Sequence, residues 1–383
     1  MRITQVETIE LRRSTEVHIG VVGWLWVRLH TDEKVMGLGE TFPAGGAEKS
    51  VILADLAPQL VGRDPRDIEA LWHDLFLSVQ CRGWGGAEIR ALSAVDIALW
   101  DLLARSLGVP LYQLLGGKCW DSIPIYNTCY DDTYDFNTHP AELARTLLAS
   151  GVRAMKIWPF DAVARMNRGQ SITPAELDRC LLPVRKIREA VAREMDIAIE
   201  FHGYWNLPCA VKIARALEPY NVMWLEEMLP QDNPAVYAAL AQRVTQPLCI
   251  SERLFTRWGF REVIENHAAS IVMPDIAWCG GLSEARKIAN LAETHYLPVA
   301  FHNCGGPVVH FASWHLSCAT PNLMILETVR RHYTHRFVPI VTSAGIPQNG
   351  RLGLPPGPGL GINLKPEFLN TKDAVIESYV PSP

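Results

Sequence analysis

Glu200, Glu226 and Glu252 stand 26 residues apart, and each closes a short apolar run: DIAIE, VMWLE and PLCISE. The series continues with Asp275 after SIVMP, His302 after LPVAF and Glu327 after LMIL, at steps of 23, 27 and 25 residues. Carboxylates and an imidazole are the groups that bind hard metal ions and move protons. A step of about 25 residues is the length of one strand, one helix and two short loops. A βα unit that repeats at this length, and ends each strand on such a residue, belongs to a closed parallel barrel. Its strand ends all converge on one mouth, the place where such barrels do chemistry. Three carboxylates gathered there repel one another unless a cation lies between them. Hard oxygen ligands with room for water suit Mg²⁺.

The elements that must position these residues are readable in outline. TQVETIELR, GWLWVRLH and VMGLGET look like strands of a β-meander. Residues 50–62 and 66–80 have helical periodicity, and AEIRALSAVDIALWDLLARSL (87–107) is an apolar-rich helix stopped by Gly108 and Pro110. Residues 1–120 therefore read as an α+β domain. SIPIYNT (122–128) and VRAMKIW (152–158) are the first two barrel strands, with a helix over 139–150 between them. PFDAVARMNRGQ after the second strand reads as a long loop over the mouth. CAVKIARALEPY, AVYAALAQRV, FREVIENH, GLSEARKIANLAETH and FASWHLSCA are the later helices. The fold class is α/β, a (β/α)8-type barrel over 121–344 with an N-terminal α+β capping domain. Residues 345–383 form a return segment whose Gly- and Pro-rich start is too broken for a helix.

Bulk properties narrow the function. The chain has 383 residues, 48% of them hydrophobic and 20% charged, enough for a barrel and a smaller domain. A formal charge of −5, with no basic block, argues against nucleic acid. No signal-peptide pattern and no 18-residue apolar run is present, so a cytoplasmic enzyme without a membrane partner is expected. The nine cysteines contain no CxxC pair and read as free thiols, most of them buried.

Six motifs in order carry a family resemblance: the helix segment ALSAVDIALWDLLARSLGVPLYQLLGGK, then EFHG, LEE, ISER, PDIAWCGGLSEA and FHNCGGPV, followed by PPGPGLG near the end. The chain resembles the enolase superfamily, in its mandelate racemase-like branch of acid-sugar dehydratases, over nearly its whole length. The resemblance implies Mg²⁺ held by Glu200, Glu226 and Glu252. Glu200 departs from the family pattern, which has Asp there, and the extra methylene shifts the carboxylate. Asp275 and His302 resemble an Asp–His dyad in which the carboxylate fixes the ring tautomer and His302 is the general base. His202, two residues after Glu200, points the same way along the strand, where the family's dehydratases place an acid. Glu227, next to Glu226, should face the opposite side. Glu327 resembles the acid that meets the substrate carboxylate and, if protonated, donates to the enediolate. Lys156 stands where racemases of this branch begin a KxK pair, but Trp158 replaces the second lysine. Lys156 is then left to neutralise the substrate carboxylate while Trp158 packs the pocket wall.

The implied reaction is dehydration of an aldonate or aldarate to a 2-keto-3-deoxy acid, by a protein that assembles as a homo-oligomer. Lactone cycloisomerisation or racemisation through the same enediolate is the alternative, and an inactive acid-sugar-binding barrel the second. Specificity is expected from loops at 13–24 and 42–48, with His18, Trp24 and Phe42 as candidates.

Overall fold

In the computed structural model, which describes residues 1–11, 23–43, 46–130 and 132–380, the chain forms two sheets. The first begins with β1 (Ile3–Leu11), β2 (Leu25–Thr31) and β3 (Met36–Thr41), an antiparallel meander. The helix Ala87–Ser106 lies across it with nearly every residue of its middle buried. Glycines in β3 permit that approach. A Cβ on Gly39 would fall 1.9 Å from Ala94 O, and one on Gly37 2.1 Å from Ala98 O.

Eight parallel strands make the second sheet: β4 (Ile123–Thr128), β5 (Ala154–Ile157), β6 (Asp196–Glu200), β7 (Trp224–Glu226), β8 (Leu248–Ile250), β9 (Ile271–Val272), β10 (Val299–Phe301) and β11 (Leu323–Thr328). β11 pairs back onto β4, so the barrel is closed. Residues on alternate positions go to two different cores. Met155, Ile157, Ile197, Ile199, Leu225, Ile250, Val272 and Phe301 pack outward with the surrounding helices. Tyr126, Ala154, Ala198, Trp224, Cys249, Ile271, Ala300 and Ile325 fill the interior. Alanines from three strands leave the axis to two large rings, Tyr126 and Trp224, whose centroids lie 5.3 Å apart.

One expectation from the sequence is corrected, and two segments gain structure that the sequence did not assign. PFDAVARMNRGQ is not an open loop, because Asp161–Asn167 forms a short helix that buries Val163 and Ala164 and ends at Arg168 in a left-handed conformation. Pro174–Val191, left unassigned by periodicity, is an 18-residue helix. Its start is set by a capping box between Thr173 and Glu176, and Pro183 inside it masks the pattern. The C-terminal segment does more than cross the surface. β12 (Arg351–Leu352) pairs antiparallel with the start of β4, Leu360 N donates to Asp101, and β13 (Ala374–Tyr379) adds a fourth strand alongside β1. Among the described residues no helix is long and apolar enough to cross a membrane.

Candidate active site

The interior packing residues dictate where the polar groups go. In a strand, residues two apart face the same side. Two positions beyond Tyr126, Ala154, Ala198, Trp224, Ala300 and Ile325 come Thr128, Lys156, Glu200, Glu226, His302 and Glu327. They form a polar layer directly above an apolar floor. Trp224 of the floor donates its indole N–H to Glu226 Oε2 at 2.8 Å. Glu252 stands two residues beyond β8, and Asp275 reaches the layer through a bridge to His302.

Glu200, Glu226 and Glu252 are all buried, and each offers a carboxylate oxygen within 4.8 Å of the others. Octahedral Mg²⁺ needs ligand oxygens about 2.1 Å from the ion, hence no more than about 4.2 Å apart. Small side-chain rotations would bring the three within that range. Glu252 Oε2 is buried without a hydrogen-bond partner. The longer Glu200 side chain curls back so that Oε1 accepts from the backbone N–H groups of Phe201 and His202, at 3.0 and 2.6 Å. The added methylene is absorbed in that loop, and Oε2 is left facing the cluster. The donor set, three buried carboxylates of which one oxygen is orphaned, fits a hard divalent cation.

Charge at the mouth is unbalanced. Lys156 Nζ lies 2.6 Å from Glu226 Oε1, 2.9 Å from Glu327 Oε1 and 3.6 Å from Glu200 Oε2. Burial disfavours the ammonium, but Glu226 and Glu327 outweigh it and raise the Lys156 pKa well above the ordinary value. Burial and the Glu200 charge push the Glu226 carboxyl well up, and burial raises Glu200 as well. Glu252 is held below its usual range, because His302, Lys156 and Arg253 overcome its burial. Glu227 departs from strand alternation. β7 ends at Glu226, Glu227 turns at φ 44°, and its buried Oε2 lies 3.0 Å from Arg253 Nε. The same Nε is 3.3 Å from Glu252 Oε1, so Arg253 ties Glu227 to the cluster instead of leaving it on the far side.

His302 and His202 face the same cavity, and His332 lines it as well. His302 Nδ1 lies 2.6 Å from Asp275 Oδ2, and Asp275 also accepts from Ala277 N. Burial would lower the His302 pKa, but Cys304, Glu327 and Asp275 raise it well above the ordinary value. Its Nε2 is 3.3 Å from Cys304 Sγ and 3.6 Å from Glu327 Oε2. Glu327 accepts from Asn303 N at 2.8 Å and from the Thr128 hydroxyl. Lys156 and His302, with these donors, overcome burial and hold its carboxyl below the carboxylate range. In this state it accepts the hydrogen bonds of the Asn303 amide and the Thr128 hydroxyl. His202 has φ 51°, so its place in the cavity comes from a turn past the end of β6 rather than from strand alternation. Its Nδ1 lies 2.8 Å from Asp161 Oδ2.

The cavity has a volume of about 170 Å³, and its walls include Lys156, Trp158, Glu200, His202, Glu252 and His302. Sequence reasoning missed Thr128, Cys304 and Asp161. The first two sit two residues beyond Tyr126 and His302, a spacing that could have found them. Asp161 has no such signal. Of the specificity candidates, His18 lies outside the described residues, as do most of the 13–24 loop and residues 44–45. Trp24 is fully buried, edge-on to His332 with centroids 5.8 Å apart. Phe42 stacks over His302 at 6.5 Å and lies 5.2 Å from Trp278.

Residues 139–368 match the family model for the enolase C-terminal domain-like fold, and residues 12–116 match the mandelate racemase / muconate lactonizing enzyme N-terminal domain. A D-xylonate dehydratase of Haloferax volcanii is 33% identical over 354 residues, which cover 89% of this chain and 83% of that protein. A D-gluconate dehydratase of Thermoproteus tenax is 32% identical, covering 93% and 70%. The crystal structure of an enolase of the mandelate racemase subgroup from Agrobacterium tumefaciens superposes with a TM-score of 0.90 at 43% identity, over 99% of each chain.

Proposed function

The chain belongs to the mandelate racemase / muconate lactonizing enzyme family of the enolase superfamily, and from that premise we propose that it is a Mg²⁺-dependent dehydratase of a sugar acid. The relatives named for D-xylonate, D-galactonate and D-gluconate point to an aldonate, with aldarates as the neighbouring class. In this reading residues 1–120 cap the mouth, 121–344 form the barrel and 345–383 return to the cap.

Glu200, Glu226 and Glu252 would hold the ion, which when bound supplies Lewis-acid charge to the substrate carboxylate. His302 takes the α-proton at Nε2, since Asp275 holds Nδ1–H and fixes the tautomer. A base must be unprotonated to act. A divalent cation beside His302 would disfavour the imidazolium and so oppose the rise that Cys304, Glu327 and Asp275 impose. Lys156 faces the negative charge that builds on the substrate carboxyl oxygens. Glu327 keeps Lys156 and the Asn303 amide in register beside the substrate carboxylate. His202 gives a proton to the β-hydroxyl as the C–O bond breaks, so that water leaves. The enol that remains tautomerises to the 2-keto-3-deoxy acid.

What carries the reading is one arrangement. His202 and His302 line the cavity beside the cluster of Glu200, Glu226 and Glu252, and His302 is backed by a buried aspartate at 2.6 Å. The test is a screen of mono- and diacid sugars with Mg²⁺, read by formation of a 2-keto-3-deoxy acid. Product from at least one aldonate or aldarate is expected. No product, together with no solvent-deuterium exchange at any α-carbon, sinks the proposal.

A further inference from the structure

His202 is not alone on its wall. Asp161, the first residue of the short helix after β5, is buried, and its Oδ2 lies 2.8 Å from His202 Nδ1. The contact is close but off the linear hydrogen-bond axis, and neither Asp161 oxygen meets another hydrogen-bond donor among the described residues. Arg165 comes no nearer than 3.8 Å and is largely in solvent. Asp161 does not cap its own helix. A buried carboxylate without partners is costly, so its place needs a reason. The imidazole supplies one. His202 holds a left-handed backbone conformation that non-glycine residues seldom adopt, a form of strain that clusters at functional sites. Its ring is flanked by Trp158 at 6.0 Å and Tyr204 at 5.9 Å. Turn, aromatic walls and carboxylate together aim one edge of the ring at Asp161 and leave the other to the cavity.

We infer that Asp161 is a positioning residue for His202 in its imidazolium form: it accepts Nδ1–H and leaves the Nε2–H of the doubly protonated ring to the departing hydroxyl. This rests on the reading of His202 as the acid of the dehydration. In the step, the Cβ–O bond breaks and the Nε2 proton moves to the leaving oxygen. The electron pair left by the α-proton becomes the enol double bond, and Asp161 neither gains nor loses a proton. Loosely aligned contacts of this kind in an empty site tighten when substrate is bound. The pair resembles Asp275–His302 on another wall of the cavity, with two differences. Asp275 already shares a hydrogen bond with His302 and accepts a second from a backbone amide, whereas Asp161 Oδ2 lies 2.8 Å from His202 Nδ1 without an aligned one and has no amide donor among the described residues.

The test uses D161N and H202N in the full-length, Mg²⁺-loaded protein. The probes are D-xylonate, D-gluconate and D-galactonate, and the 3-deoxy-3-fluoro analogue of whichever is turned over. Fluoride leaves without needing a proton, so the analogue bypasses the acid. D161N should slow dehydration roughly 10- to 100-fold, the usual loss for a residue that orients another. It should leave deuterium exchange at the α-carbon intact and release fluoride at close to the wild-type rate. H202N should show the same pattern with a larger loss. Wild-type dehydration by D161N overturns the inference. So does an equal loss of dehydration, exchange and fluoride release, since that is what a merely structural residue would give. Wild-type dehydration by H202N, or no turnover and no exchange by the wild type with any probe, overturns the underlying reading and separates that failure from one confined to Asp161.

Discussion

Buried carboxylates occur both at the seam between the N-terminal sheet and the barrel and at the barrel mouth, with different partners. At the seam, Glu40 accepts from Trp26 Nε1 and Val308 N, each at 2.8 Å. Asp96 accepts from the amide and hydroxyl of Ser283, and Asp101 from Leu38 N, Leu360 N and Arg105. These donors are mostly backbone amides, fixed by the fold. At the mouth, Glu200 takes two backbone amides and Glu226 an indole N–H on one oxygen each, but their other oxygens and Glu252 face one another and the ammonium of Lys156. Burial of charge is therefore no mark of chemistry by itself. Donors fixed in the backbone make a joint, whereas acids that face each other make a place for a cation.

The contrast can be broken by substitution. His302→Asn should abolish both dehydration and α-proton exchange, a loss of at least about 10²- to 10⁴-fold, whereas no change at the seam should touch exchange selectively. NMR of substrate recovered from D₂O reads this, and exchange surviving in that variant would remove His302 as the base. Next in size is the metal. A concentration of Mg²⁺ about 100 times its Kd should stabilise the wild type by about 2.7 kcal/mol, seen as a rise in Tm. Glu226→Gln should lose most of this. Glu227→Gln should lose less, because its effect passes through Arg253. Equal losses would mean that the wrong glutamate is assigned to the ion.

Seam substitutions should move stability without moving metal affinity. Asp101→Asn leaves one of two buried amides without an acceptor, a cost of about 1–3 kcal/mol in denaturant unfolding. A changed Mg²⁺ affinity in that variant would show that the two regions are coupled. The smallest effect concerns Glu40. Burial, only partly offset by its amide donors, raises its carboxyl from 4.5 to about 8. The folded state thus holds this proton more tightly than the unfolded one. The stability it contributes is full below pH 4.5 and is lost as pH rises through 8. Glu40→Gln should flatten that stretch of the stability–pH profile, and an unchanged slope would argue that Glu40 is ionised throughout.

The barrel was legible because its units have nearly equal length and its strands bury both faces. Apolar runs such as DIAIE and LPVAF then stand out, and the polar residue that ends each run marks the mouth. Alternation failed wherever the strand had already stopped. Glu227 and His202 lie past strand ends at positive φ, and their direction is set by turns that no period describes. Asp161 was hidden by a helix of seven residues, too short to show a face. Pro183 disguised a long helix, and β13 takes its place from pairing with a strand more than 360 residues away. Such long-range contacts leave no local signature. The carboxylates at the seam escaped notice for the same reason, since their donors come from other parts of the chain.

That last pairing has a consequence for how the molecule is made. Val6 is matched with Tyr379 and Leu11 with Ala374, so the outer edge of β1 waits for more than 360 further residues to be synthesised. Until then the ribosome carries a nascent meander with an open edge, able to accept a strand from a neighbouring chain. Closing so long a loop costs only logarithmically more than closing a short one. The barrel folded in between does the work of bringing the two ends together. β13 thus leaves the ribosome long after the strand it seals, and the interval before it arrives is the period in which misassembly between copies competes with folding.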